Sequence, residues 1–140
     1  MRVEAYIIAR RYTYAQLRGL GIQGDGTLEI DAAGGSQPLD MAVLLHASAD
    51  DSTNIALIFQ GEYGHVGVYV PGAASNPTVF PAPATFTKVR VTSAGTALTI
   101  VVDGATIGSV TIPSPASGYV GIGSSSTASP QVAISQVSFQ

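Results

Sequence analysis

Residues 98–112 read LTIVVDGATIGSVTI. Two apolar-rich runs meet at Asp103-Gly104, and a two-residue type I′ turn needs positive φ at both central positions, which Asp and Gly tolerate well. The stretch is therefore expected to form a β-hairpin, Ala97–Val102 against Ala105–Ile112. Leu98, Ile100 and Val102 share one face with Thr99 and Val101 opposite, the period-two alternation of a strand with one side in a core. The hairpin holds one carboxylate and no other group able to do chemistry, so it speaks for architecture first.

The same pattern continues in both directions. Period two and turn residues predict strands over Val3–Arg10, Thr27–Ala32, Met41–Ala47, Asn54–Gln60, His65–Val70, Phe86–Thr92, Tyr119–Gly123 and Val132–Phe139 as well. Gly24-Asp25-Gly26, Gly34-Gly35, Gly61, Pro71-Gly72, Asn76-Pro77, Ala94-Gly95, Pro113-Ser114-Pro115 and Ser129-Pro130 punctuate them. Only YAQLRGLG, residues 14–21, reads as a helical turn. In the last strand Val132 and Ile134 are out of phase with Val137 and Phe139, which predicts a β-bulge near Ser135-Gln136. GAASNPTVFPAPA, residues 72–84, reads as a long surface loop anchored by Val79 and Phe80. Strands of this length and spacing imply an all-β, antiparallel two-sheet sandwich in one domain, residues 1–140.

Composition narrows the function classes. The chain is 46% hydrophobic and 11% charged, against about 25% charged in an average domain. Its surface must then be built from Ser, Thr, Gly, Gln and Asn. A net charge of −3 provides no positive field for a phosphate backbone, although Arg2, Arg10, Arg11 and Arg18 cluster in the first eighteen positions. Nucleic acid is not an expected partner. The absence of cysteine removes disulfides, thiolate nucleophiles and cysteine-ligated zinc. No apolar run is long enough to insert into a membrane, and RVEAYIIARR, with Glu4 inside its short apolar run, does not read as a secretory signal peptide.

Three stretches in this order, MAVLLHASADDSTNIALIFQGEYGHVGVYV (41–70), FTKVRVTSAGTALTIVVDGATIGSVTI (86–112) and SGYVGIGSSS with VAISQVSFQ (117–140), resemble the concanavalin A-like jelly-roll superfamily, laminin-G-like and glucanase-like modules in particular. The resemblance spans roughly residues 41–140. It implies a jelly-roll topology, and it rests on Gly95, Asp103, Gly104, Gly118, Gly121 and Gly123, which serve turns and close packing and so identify a fold and not a reaction.

That superfamily includes glycoside hydrolases, and Glu29-Ile30-Asp31 is similar to the start of their Glu-x-Asp-x-(x)-Glu motif. Alternate strand residues share a face, so Glu29 and Asp31 belong together, but Ala32, Ala33 and Gly34 stand where the last glutamate would lie. The motif is broken at its proton donor, and no tryptophan is available to floor a cleft. We expect no catalytic residues. Glu62 and His65 flank Tyr63 and could make an acid–base pair, but Gly61 and Gly64 mark a hairpin turn in which both are expected as solvent-facing polar groups, and His46 is expected as a hydrogen-bonded boundary residue on the Ala42–Leu44 face. Asp50, Asp51 and Asn54 form a candidate calcium loop, with turn formation as the plainer reading; no other cofactor is implied.

Tyr63, Tyr69, Tyr119 and Phe80, with Asn54 as a hydrogen-bonding neighbour, are the candidate ligand-binding residues. The main expectation is a non-enzymatic structural or adhesion module of a virion, a bacteriophage capsid decoration or tail-associated protein. It would contact other protein subunits as a homo-oligomer or in the particle, and would also contact host-surface glycans. A sparsely charged surface favours association, and a module of extracellular type with no signal peptide in this chain suits release by lysis, hence a virion or extracellular location. The alternative is a lectin-like carbohydrate-binding module of a larger extracellular protein, with a glycoside hydrolase third.

Overall fold

The computed structural model describes residues 4–6, 14–21, 23–33, 40–50, 53–112, 117–123 and 133–140. In chain order the strands are β1 (Glu4–Tyr6), β2 (Tyr14–Gln16), β3 (Gly26–Ala33), β4 (Asp40–Ala47), β5 (Ile55–Gln60), β6 (His65–Tyr69), β7 (Thr78–Pro81), β8 (Lys88–Ala94), β9 (Ala97–Val102), β10 (Ala105–Thr111), β11 (Tyr119–Gly123) and β12 (Ala133–Phe139). They form a seven-stranded sheet, β1-β2-β11-β4-β5-β6-β7, and a five-stranded sheet, β10-β9-β8-β3-β12. Every pairing is antiparallel. This is the expected all-β two-sheet jelly-roll sandwich.

The core lies between the sheets and follows the alternation. Met41, Val43, Leu57, Phe59, Val66 and Val68 of the larger sheet meet Leu28, Ile30, Val89, Val91, Leu98 and Ile100 of the smaller one, all at most 1% exposed. Phe59 packs against Phe86 with ring centroids 5.1 Å apart. Removing one such side chain typically costs about 2–5 kcal/mol, through lost transfer energy and the cavity left behind.

The opening hairpin forms as its sequence requires. Ala105 pairs with Val102, and Asp103 and Gly104 take φ of 48° and 84°. The Asp103 carboxylate then reaches beyond its own turn, accepting hydrogen bonds at Oδ1 from Thr87 N, Thr87 Oγ1 and Lys88 N at 2.9–3.0 Å. Desolvation pushes its pKa up, but these donors outweigh it and hold the carboxyl below the ordinary aspartate value. The expected bulge in β12 is also present, between Ile134 and Gln136, and it returns Val137 to the core.

Three details differ from the sequence reading. Residues 14–21 are not a helical turn throughout: Tyr14–Gln16 is a strand, followed by a single 3-10 turn at Arg18–Leu20. Within 72–84, Thr78–Pro81 forms edge strand β7 on β6. Of the strand expected over residues 3–10, Glu4–Tyr6 is seen and the remainder lies outside the described residues.

His46 is the third difference. Between the pairs Tyr119↔Ala47 and Gly121↔Leu44 two β4 residues oppose one of β11, a bulge in β4 at Leu45-His46, and His46 takes φ 54° there, a conformation His adopts more readily than most residues. Its ring leaves the Ala42–Leu44 face and turns inward, with Nε2 3.4 Å from Oγ of the buried Ser93.

The outward side of the seven-stranded sheet is not uniformly open. Ala42, Leu44, Ala56 and Ile58 point away from the main core, yet form a second buried cluster at no more than 9% exposure. β4 and β5 are thus buried on both faces, consistent with their nearly unbroken apolar runs MAVLL and IALIF.

Candidate functional site

Among the described residues, Tyr63, Tyr69 and Val79 are the exposed large hydrophobic side chains, at 66%, 45% and 51%. All three belong to the open flank of the larger sheet, around β6. Alternation sends His65, Gly67 and Tyr69 outward from this strand, while Val66 and Val68 enter the core. Cross-strand register then places Gln60 and Pro81 on either side of His65, and Ile58 and Val79 on either side of Gly67.

Tyr69 leans back over the strand at Gly67 beside Pro77: a Cβ at Gly67 would lie 3.4 Å from Tyr69 Cε2 and 3.6 Å from Pro77 Cβ, both ordinary van der Waals contacts. Asn76 holds the loop carrying Pro77 in place: its side chain accepts from Val70 N at 2.9 Å and donates to Val70 O at 2.7 Å. The result is an aromatic surface supported from beneath with one side open to solvent.

Tyr63 forms a second surface of the same kind. It ends the 3-10 turn Gly61–Tyr63, closed by Gly64 in the left-handed conformation, and stacks on His65 with centroids 5.9 Å apart and planes 17° from parallel. His65 Nε2 is 3.0 Å from Gln60 Oε1, which fixes the imidazole under the tyrosine. A hydrogen bond to the Glu62 carboxylate raises the Tyr63 pKa, helped by the charges of Glu62 and Asp40, so its hydroxyl stays protonated. At about 3.4 Å per residue, His65 and Gly67 stand about 7 Å apart and His65 and Tyr69 about 14 Å. The two aromatic surfaces therefore lie in line along one strand.

The other sequence candidates do not join them. Tyr119, on β11, is half-buried and stacks beneath Arg18, whose guanidinium carbon is 4.3 Å from the ring centroid and whose Nη2 donates to Ala49 O at 2.8 Å. The buried Ala42–Leu44 and Ala56–Ile58 cluster separates it from Tyr69. Phe80 is the inward residue of β7, paired with Val66 and packed so closely on Gly108 of the other sheet that a Cβ there would fall 2.5 Å from its ring. It anchors, and does not present a ligand surface, because an edge-strand residue in phase with Val66 and Phe59 must point between the sheets. Asn54 stands just before β5, at the end of a turn closed by Ser48 N→Thr53 O at 3.0 Å.

In that turn the Ser48 hydroxyl donates to Asp50 Oδ1 at 2.8 Å, so Asp50 has a turn-stabilising partner; Asp51 lies outside the described residues. Among the described residues no group of three or more His, Cys, Asp or Glu side chains converges on a point. No helix among them is long and apolar enough to cross a membrane. His65, Gln60, Gly67, Pro77 and Val79 had not been singled out as ligand contacts, and the alternating His-x-Gly-x-Tyr of β6 was the available signal.

Glu29 and Asp31 do share the outer face of the five-stranded sheet, but within an ion-pair ladder. Lys88 Nζ lies 3.1 Å from Glu29 and 3.7 Å from Asp31, and Arg90 Nε lies 2.9 Å from Glu29. The hydrogen bond from Lys88, with the charges of both cations, lowers the Glu29 pKa against a smaller desolvation effect and keeps the carboxylate ionised within the ladder. Thr27, Ser138 and Gln140 join Glu29 and Arg90 around a polar depression of about 270 Å³ there.

No family model matches the chain, and no curated protein matches it in sequence. Solved structures do resemble it. Carbohydrate-binding module CBM66 from Bacillus subtilis superimposes with a TM-score of 0.72 at 12% identity, covering 99% of this chain and 91% of that one. Galectin LEC-6 from Caenorhabditis elegans follows the same path with a TM-score of 0.61 at 12% identity, covering 97% and 95%. A β-glucanase from Bacillus licheniformis gives 0.56 at 14% identity, covering 91% of this chain and 69% of the enzyme. At these identities the likeness establishes a jelly-roll sandwich of the concanavalin A-like type.

Proposed function

We propose that this protein is a non-catalytic glycan-binding module, using the outer flank of β5–β7 as its site. Tyr69 lying over Gly67 and Tyr63 stacked on His65 carry the reading. Two supported aromatic faces aligned along one strand match the apolar C–H faces of consecutive sugar rings, and Gln60, Glu62 and the Tyr63 hydroxyl supply hydrogen bonds at their edges. Similar folds in a carbohydrate-binding module and a galectin support the same choice. A non-catalytic role draws support from Glu29, which is engaged by Lys88 and Arg90 in ion pairs and has Ala33 and Gly34 where the motif's proton donor would stand. Kinship with laminin-G-like modules belongs to this proposal, as does action at a cell or particle surface.

The test is binding of the intact chain to a broad panel of immobilised glycans, followed by titration calorimetry on the hits. Tyr69→Ala and Tyr63→Ala should each weaken a genuine hit by about tenfold, roughly 1.4 kcal/mol. Retained affinity in both variants would remove the site.

A second reading, a subunit of an assembly such as a virion, draws on the 11% charged composition and the same exposed Tyr63, Tyr69 and Val79. Edge-to-edge pairing through β7, β10 or β12 is an unfavourable route to it. β7 ends in Pro81, β10 is bulged between Thr106 and Gly108, and β12 is bulged between Ile134 and Gln136, the usual devices that blunt a sheet edge. Light scattering separates the two readings: an oligomer that dissociates when Tyr63 and Tyr69 are truncated would favour assembly.

A further inference from the structure

Resting on the glycan-binding reading, we infer that the β5–β7 site selects uncharged glycans and excludes those bearing carboxylate or sulfate groups. The charge layout motivates this. Glu62 hydrogen-bonds the exposed Tyr63 platform and, together with Asp40, bears on its hydroxyl electrostatically, so two carboxylates border that end of the site. Asp40 also pairs in register with Gln60, one strand from His65.

The arginines and the lysine among the described residues are committed elsewhere. Arg18 stacks on Tyr119 beyond the buried Ala42–Leu44 stretch, and Lys88 and Arg90 pair with Glu29 on the other sheet. An acidic sugar over Tyr63 and His65 would bring its charge beside Glu62, and among the described residues no arginine fork or lysine is positioned to receive it. A neutral ring meets the aromatic face and spends its hydroxyls on Gln60, Glu62 and Tyr63. Rejection of like charge is a common source of discrimination between otherwise similar ligands.

The experiment uses the intact chain and one polysaccharide backbone in three forms. These are a neutral glucan or galactan that binds, its sulfated or carboxymethylated derivative, and its hydroxyethylated derivative as an uncharged control of comparable bulk. Affinity electrophoresis or calorimetry at low and physiological salt should show the neutral and hydroxyethylated forms bound alike and the anionic form at least tenfold weaker. That gap should narrow with added salt and in Glu62→Gln, which keeps a hydrogen-bonding group but removes the charge. Equal or tighter binding of the anionic form overturns the charge selection and leaves glycan binding standing. An equal loss on hydroxyethylation assigns the effect to bulk and overturns it too. Failure of every backbone in the panel to bind defeats the underlying function, and this inference with it.

Discussion

Gly118→Ala tests the close packing on which the fold depends. Gly118 pairs with Gln23 through two backbone hydrogen bonds of 2.9 Å, beside the β4 bulge. A Cβ there would sit 2.4 Å from the carbonyl carbon of His46 and 2.7 Å from both N and O of Ala47, about 1 Å inside a comfortable contact. All three are backbone atoms, so no side-chain rotation relieves the overlap. Overpacking of this kind costs typically 1–3 kcal/mol. One or two strained ladder bonds at about 1 kcal/mol each add to that, and the smaller entropy of an unfolded chain with Ala returns about 0.4–1 kcal/mol. The net expectation is about 2–4 kcal/mol. With an unfolding entropy near 0.3 kcal/mol/K for a chain of this length, Tm should fall by about 7–14 °C in calorimetry. Gly72→Ala is the control: φ is 77° there but a Cβ meets nothing within 4 Å, so only the left-handed backbone penalty of about 1 kcal/mol applies. If Gly118→Ala proves no more destabilising than Gly72→Ala in thermal and urea unfolding, the close approach of residue 118 to β4 is wrong.

Other perturbations address the remaining links. Phe80→Ala should destabilise by about 1–3 kcal/mol, since Phe80 closes the gap between β7 and β10, and Gly108→Ala should be strongly non-additive with it in urea unfolding. Asp103→Asn should cost about 1–2 kcal/mol at neutral pH. Because the Asp103 pKa is lowered in the folded state, its contribution is present above the ordinary aspartate value and lost as pH falls through the lower one. The variant's stability should therefore vary less with pH across that acidic window. Tyr63→Ala should leave Tm nearly unchanged, as that side chain is 66% exposed, and Tyr69→Ala, 45% exposed and seated beside Gly67 and Pro77, should lower it by only a few degrees, which separates their effect on binding from folding. Glu29→Gln should alter neither glycan binding nor any trace hydrolysis; loss of a hydrolytic activity in that variant alone would restore the enzyme reading.

Much of the fold was legible because its signals are local. Asp103-Gly104 dictates a turn through the φ values its own residues tolerate, and the phase change from Ile134 to Val137 announces a bulge without knowledge of the partner strand. The site was legible only in part. Tyr63 and Tyr69 could be picked as exposed aromatics, but nothing in residues 54–81 alone says that Tyr119 lies across a buried cluster or that Phe80 points inward. The prolines around TVF suggested a loop, whereas pairing with β6 tolerates them at an edge, where a missing N–H leaves the ladder intact.

By itself the sequence determined the strand periods, the turns, an all-β class and a surface poor in charge, because each follows from torsional preference and side-chain polarity within a few neighbouring residues. Tertiary structure alone decided which face each aromatic occupies, the inward turn of His46 and the burial of β4 and β5 on both sides. Those outcomes depend on register between strands distant in the chain, where a one-residue shift sends a side chain to the opposite face.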